Sequence, residues 1–308
     1  MKVASFNVNS LRARLPLVLS WLDENQPDVL AVQETKVQDV DFPAEAFDKT
    51  GYKYVFKGQK SYNGVAIFSP LSAGQISKVK FGFDDEPTRL GEGASLATET
   101  IEAPSRSRKD ESRLIKAEIN PVRKLRRRLA GQTSANSFEP TFLSNGVNGI
   151  AIVNTYVPQG YLPESEKFQY KLNWFERLLR YFDKNFKPTD AIVWVGDFNI
   201  APEAIDVYDP ENLLGHVCYH PEVHKRLQKI MQWGFVDVFR MHCKEPGQYT
   251  FWDFRLPNAF KRNLGWRLDH IMATKSLAEK CTACYIDKGQ RTKERPSDHT
   301  PIVAEFAW

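Results

Sequence analysis

The 308-residue chain predicts a layered α/β fold, and three features of the sequence carry that expectation. Short runs of strand length alternate with segments whose apolar residues recur at helical spacing. Most of the strand runs are apolar, as strands inside a layered domain are. Polar and charged residues gather where those runs stop, which is where such sheets place their sites.

Residues 2–7 read as the first strand. A helix begins near Pro16, a residue tolerated in a first turn, and Leu15, Val18, Leu19 and Leu22 form its apolar stripe until Pro27 ends the unit. Asp28 to Val32 is a strand-length run closing on Gln33-Glu34-Thr35. Strands at 53–57 and 64–68 follow, with turn chemistry at Asn63-Gly64 between them. The longest helix spans 163–186 on a stripe of Phe168, Leu172, Phe175, Leu178, Leu179 and Phe182. Ala191 to Val195 is a buried-strand run that ends in Gly196-Asp197-Phe198-Asn199. A helix at 221–233 and strands at 267–273 and 300–306 complete the pattern, and no internal repeat is evident.

Region 84–148 departs from this economy, with only Leu114 to Ile119 strand-like. It reads as inserted surface loops at about 85–111 and 120–148 around one hairpin strand, within a single domain over 1–308. The second loop holds Arg123, Lys124, Arg126, Arg127 and Arg128 against one acid, Glu139. Such a run is either a patch for a polyanionic partner or a solvated loop facing away from one.

Composition narrows the class. A hydrophobic fraction of 42% supports a sizeable core, and a net charge of +4 is compatible with a polyanionic partner without identifying one. No window approaches 18 uninterrupted apolar residues, which argues against a membrane span, and the N-terminus lacks a secretory signal pattern. Four cysteines fit a reduced, cytoplasmic protein. Cys281 and Cys284 form a CxxC with no second pair, in a segment that reads as packed strand.

The strand ends carry the chemistry. Asn7 follows the first strand, Glu34 the second, and Asp197 and Asn199 the run at 191–195. Asp269 lies in Trp266-Arg267-Leu268-Asp269-His270, and Asp298 and His299 precede the last strand. A lone acid at a strand end is usually a cap or a solvated loop residue. The same feature in so many separate segments points to one site. Oxygen donors such as Asn7, Glu34 and Asp298 suit a hard ion like Mg2+, whereas zinc prefers several His or Cys.

Seven segments, in order, resemble the exonuclease III and abasic-site endonuclease family: FNVNSLRARL (6–15), PDVLAVQETK (27–36), YNGVAIFS (62–69), NTYVPQG (154–160), VGDFNIAP (195–202), GWRLDHIMA (265–273) and PSDHTPIVAEF (296–306). The resemblance runs from the first residues to the last, and the 84–148 loops fall outside it. It implies a four-layer α/β sandwich, two mixed sheets face to face with helices outside. It also implies a Mg2+-dependent DNA-repair phosphodiesterase, with Mn2+ as a substitute, acting as a monomer on double-stranded DNA. The activities implied are incision 5′ to abasic sites, leaving a 3′-OH, and/or 3′-5′ exonuclease action and 3′-end trimming on duplex DNA.

By the same resemblance Glu34 is the principal metal ligand, helped by Asn7 and Asp298. Asp197 positions or deprotonates the attacking water with Asn199, while Tyr156 and a protonated His299, held by Asp269, contact the phosphate. Asn9, Lys36 and Arg113 fall near the DNA backbone or the site, and Tyr62 and Asn63 are backbone-contacting surface residues. Phe251, Trp266 and Leu268 form an apolar pocket for a flipped-out, base-free sugar. Residues 212–220 fall outside the motifs that carry the resemblance, and Cys218, Tyr219 or His220 are candidates to crowd the pocket mouth. Two other readings stay open: a phosphodiesterase acting on RNA or a phospholipid head group, and a catalytically silent DNA-binding module.

Overall fold

A computed structural model describes residues 1–70, 75–83, 112–120 and 149–307. The expected loops, with the basic run at Arg123–Arg128, lie outside the described residues apart from Asn120. Strand β1 (Lys2–Asn7) shows why the strands read as apolar throughout. It sends Val3 into one core, and Ala4 and Phe6 into another on the opposite face. Both faces are covered, so the alternation of a half-exposed strand is missing.

The helix Leu15–Asn25 carries Pro16 in its first turn and ends at Gln26, whose φ of 45° reverses the chain. It lays Val18, Trp21 and Leu22 on the outer face of the sheet. Strand β2 (Val29–Gln33) then runs parallel to β1, with Val3 opposite Val29. Next come β3 (Tyr52–Lys57), β4 (Val65–Pro70), β5 (Gln75–Phe81), β6 (Leu114–Asn120) and β7 (Ile150–Tyr156). The helix Glu166–Asn185 leads to β8 (Ile192–Asp197), and β9 (Phe235–Asp237), β10 (Asp269–Thr274), β11 (Cys281–Ile286) and β12 (Ile302–Phe306) follow.

Among the described residues these strands form two six-stranded mixed sheets, ordered β11-β12-β1-β2-β4-β3 and β5-β6-β7-β8-β10-β9. The core between them includes Val29, Ile67, Ile152, Val193, Ile271 and Ile302. Helices cover both outer faces: Trp21 and Leu22 belong to one outer core, and Phe175, Phe182 and Trp194 to the other. This is the expected four-layer α/β sandwich.

The two sheets repeat one topology. Each has a parallel strand–helix–strand unit at its centre, β1 to β2 and β7 to β8. Each flanks that unit with antiparallel pairs, β11–β12 and β3–β4 in one sheet, β5–β6 and β9–β10 in the other. No sequence repeat announces this, because the repeated feature is the path of the chain.

Boundaries differ from the sequence reading for local reasons. The long helix starts at Glu166 because Ser165 caps it, accepting from the Phe168 N–H. Strand β10 starts at Asp269 rather than 267, since Trp266 pairs instead with Val207 and Phe251. Strands β5, β7 and β9 are additional: β5 alternates with lysines, β7 ends in Asn154-Thr155-Tyr156, and β9 has three residues. Cys281 and Cys284 sit in β11 as buried free thiols, and burial raises the Cys284 pKa well above the ordinary thiol value. No described helix is long and apolar enough to cross a membrane.

Both central parallel units end at the same edge of the sandwich. Strands β10 and β12, antiparallel to β8 and β1, begin there. The chain thereby delivers Asn7, Glu34, Tyr156, Asp197, Asp269 and His299 to one place.

Candidate active site

A buried amide pair locks the two sheets together beneath this edge. Gln33 Nε2 donates to Asn154 Oδ1 at 2.8 Å, and Asn154 Nδ2 donates to the Val32 and Ala66 carbonyls at 3.0 and 2.9 Å. Buried amides are costly without partners, so these bonds favour one registry of the sheets and thus of the groups above them. Gly196 permits the adjoining approach: its φ is +141°, and a Cβ there would collide with the Thr155 carbonyl.

Glu34 stands just past β2 with a left-handed backbone, φ 53°, as do Asn9 (45°), Lys36 (50°) and Asn199 (50°). Such conformations are strained for ordinary side chains and cluster at functional sites. Asn7 Nδ2 donates to Glu34 Oε1 at 2.9 Å and to Asp197 Oδ2 at 2.8 Å, joining a carboxylate of each sheet. Lys36 Nζ pairs with Glu34 Oε2 at 2.7 Å and also donates to Asn9 Oδ1. Asn9 Nδ2 in turn donates to Asp298 Oδ1 at 2.9 Å. Burial pushes the Glu34 pKa up, but Lys36 and the Asn7 bond outweigh it, so the carboxyl lies below its usual range. Glu34 and Asp298 therefore belong to one hydrogen-bonded array.

Asp197 and His299 form its other half. His299 Nδ1 contacts Asp269 Oδ2 at 2.7 Å, and its Nε2 lies 3.8 Å from Asp197 Oδ2. Burial alone would lower the imidazole pKa; Asp269 and then Asp197 overcome that and raise it to about 10. Asp197 moves up to about 7, chiefly through burial, despite the opposing charge of His299. The Asn199 N–H donates to Asp197 Oδ1 at 2.9 Å. Tyr156 is raised well above 10 by burial and by the charges of Glu34 and Asp197, and it hydrogen-bonds Glu34. Arg113 lies over its ring at 4.8 Å and donates to its carbonyl at 3.1 Å.

The apolar residues meet beside this cluster. The Phe251 ring lies 4.8 Å from that of His299, and Phe251 pairs through its backbone with both His299 and Trp266. Trp266 and Leu268 are buried, and Trp266 has the His216 ring against it at 4.9 Å. The residue of the 212–220 loop whose ring lies against Trp266 is His216, which the sequence reading did not single out. His220 instead caps the helix Pro221–Gly234 and meets Phe168, while Tyr219 meets His224. Cys218 is buried with its Sγ 3.9 Å from Asn199 Oδ1.

One further position corrects the expectation. Tyr62 is exposed, but Asn63 is buried rather than a surface residue. Its left-handed backbone, φ 51°, turns its carbonyl toward the Lys36 N–H at 2.9 Å. Two anchors also went unread. Arg14 donates to the Asn9 carbonyl at 2.8 Å and to the Pro296 carbonyl, and Ser297 Oγ donates to the Asn7 carbonyl at 2.8 Å. Neither residue type signals such a role in sequence.

The donor set suits a hard cation. Ligand atoms of Glu34, Asp197 and His299 lie within 4.8 Å of one another. With a pKa of about 10 and its Nδ1 held by Asp269, His299 is an imidazolium near neutral pH and a poor ligand. That leaves carboxylate and amide oxygens, the donors magnesium takes. The Lys36 ammonium bound to Glu34 shows that this carboxylate already holds positive charge.

The chain matches the Endonuclease/Exonuclease/phosphatase family over residues 4–299. It is 29% identical to exodeoxyribonuclease III of Haemophilus influenzae across 99% of this chain and 100% of that one. Among solved structures it resembles an AP endonuclease from Archaeoglobus fulgidus, with a TM-score of 0.81 and 42% identity over 100% of both chains. It also resembles a 3′-5′ exonuclease from Neisseria meningitidis, with a TM-score of 0.78 and 32% identity over 100% of both chains. The chain belongs to the endonuclease/exonuclease/phosphatase family, in its exonuclease III and abasic-site endonuclease branch.

Proposed function

We propose that this protein is a Mg2+-dependent DNA-repair phosphodiesterase that incises 5′ to abasic sites and acts on duplex 3′ ends as a 3′-5′ exonuclease that also trims them. One observation supports this above the others. Asn7, Glu34 and Asp298 from one sheet and its loops meet Tyr156, Asp197 and His299 in a single array of hydrogen bonds and ion pairs.

A Mg2+ ion held by Glu34, with Asn7 and Asp298 beside it, would spread the charge that builds on the phosphoryl oxygens. His299 and Tyr156 are the chain's own donors to that charge. As an imidazolium, fixed by Asp269 at 2.7 Å, His299 offers its Nε2–H to a phosphoryl oxygen. Tyr156 keeps its phenolic proton throughout the physiological range and stays a donor. Asp197 orients the attacking water and accepts its proton at a carboxylate oxygen. It is the group able to do so, because His299 already carries a proton and Asp197 titrates near 7. Asn7 and the Asn199 N–H hold the carboxylate in place while this occurs.

The pocket formed by Phe251, Trp266 and Leu268 favours DNA lacking a base, since such a sugar unstacks at little cost and fits a small apolar site. The structures resembled include a 3′ phosphatase from Neisseria bound to product DNA hairpin, 32% identical over 100% of both chains. That likeness supports 3′-end work as the second activity. The test is a gel assay on one abasic duplex and one recessed 3′ end, each with magnesium and with EDTA. Both substrates should be cut with magnesium and neither with EDTA. Cleavage of RNA or a phospholipid head group in preference to both would reject the assignment.

A further inference from the structure

The helix Glu166–Asn185 places a fully buried lysine, Lys171, under the site, where the reaction above gives it no part. Its Nζ donates to the carbonyls of Asn199 and Val217 at 2.7 Å each and of Gln159 at 3.1 Å. An ammonium has three protons, so these bonds use all of its donors. All three acceptors are neutral, and burying a charge without a bonded counter-ion is costly. A methionine would fill the same space without that cost. What the ammonium adds is a tie between three separate loops.

Each loop leads to a working part of the site. Gln159 follows Tyr156 beyond β7, and Asn199 follows Asp197 beyond β8. Val217 sits next to His216, whose ring lies on Trp266. Asn199 holds a left-handed turn, φ 50°, while its side chain donates to the Val157 carbonyl at 3.0 Å and its N–H holds Asp197. The carbonyl of that turn residue is one of the three that Lys171 takes. The lysine stem packs closely as well: a Cβ on Gly160 would come within 3.2 Å of Lys171 Cδ and 3.4 Å of Val217 Cβ.

We propose that Lys171 is a positioning residue of the nuclease, holding the Asn199 turn and the pocket-mouth loop in one fixed register. The inference rests on the nuclease reading given above. The turn serves every substrate, whereas the mouth loop serves only those that enter the pocket. Loss of the ammonium therefore slows turnover generally and slows abasic incision most. It leaves the DNA-facing charges alone, so substrate binding changes little.

The experiment compares wild type, Lys171→Met and Lys116→Met, with rates normalised to the folded fraction from thermal melts. Lys116 is a second buried lysine, paired with Glu118 at 2.8 Å in β6 and remote from the chemistry. An ångström of misplacement costs on the order of 100-fold in rate. For Lys171→Met we expect kcat on a recessed 3′ end to fall ~10- to 100-fold with KM within about twofold, and abasic incision to fall further. Lys116→Met should keep the wild-type kcat. If Lys171→Met does not fold, Lys171→Gln, which is shorter, uncharged and unable to span all three carbonyls, takes its place under the same criteria. A wild-type kcat in the folded Lys171 variant overturns the proposal, as does an equal loss in Lys116→Met. Wild type inactive on both DNA substrates overturns the nuclease reading and this inference with it.

Discussion

Asp269→Asn isolates the charge that keeps His299 protonated. The imidazole stands at about 10 against an ordinary 6.5. At about 1.4 kcal/mol per pH unit, that difference represents roughly 5 kcal/mol in favour of the cation. Asp269, in contact at 2.7 Å, is the leading favourable source, ahead of Asp197 at 3.8 Å. Asparagine keeps the shape and can still accept from Nδ1–H, but it carries no charge. Burial, which already pulls the imidazole down, then gains the upper hand, and the titration should fall by ~3 pH units to near neutrality. A donor that must be protonated loses about tenfold in rate for each pH unit above its pKa. We therefore expect the alkaline limb of kcat to move from near 10 to near neutrality, with a loss of about tenfold or more at pH 8. The assay is kcat against pH on a recessed 3′ end, alongside nitrogen-15 NMR titration of the His299 ring. An unchanged alkaline limb in a folded Asp269→Asn protein would show that Asp269 does not keep His299 charged.

The remaining predictions probe the pocket and the buried charges. Trp266→Ala should lower abasic incision ~10-fold or more beyond its effect on 3′-end removal, at unchanged magnesium affinity, as loss of a well-packed aromatic wall implies. Equal loss of both activities would remove Trp266 from substrate choice. His270, whose Nδ1 accepts from Arg267 at 2.9 Å and whose Nε2–H donates to the Ile200 carbonyl at 2.8 Å, is lowered to about 4, first by burial and then by Arg267. Its NMR ring signals should stay those of a neutral imidazole from pH 7 down to about 5, and titration near 6.5 would contradict the structure. The sign for stability follows. Between 6.5 and 4 the unfolded chain takes a proton that folded His270 refuses, so His270 costs stability as pH falls. Asp197, raised to about 7 from 3.8, acts oppositely and adds stability over the same fall.

The sequence revealed most where one residue type can serve few purposes. The apolar runs and the polar residues at their ends made the layers and the site visible, because a strand buried on both faces needs apolar side chains. Glu34, Asp197, Asp269 and His299 stood out against such neighbours. What stayed hidden depends on distances between segments. Arg14, Ser297 and Lys171 act through backbone carbonyls, which any sequence possesses. His216 reaches Trp266 through a loop whose path no local pattern sets. The repeated topology was invisible because the two halves share a chain path without sharing residues. Strand β7 escaped notice since its last residues are polar, yet Asn154 is buried there as part of the lock between sheets.

The two sheets give the site its rigidity. Glu34 and Asp197 belong to different sheets, and Asn7 bridges them with one amide. The buried Gln33–Asn154 pair below restricts sliding of one sheet over the other. Precise placement of this kind allows groups on opposite walls to act on one phosphate without rearrangement.

The most direct test of the account is anomalous diffraction from crystals soaked in Mn2+, a scatterer that substitutes for magnesium. A single strong peak against the Glu34 carboxylate, beside Asn7 and Asp298, and its loss in Glu34→Gln crystals, is the predicted result. A peak that persists in Glu34→Gln, or one bound only at sites away from Glu34, would contradict it.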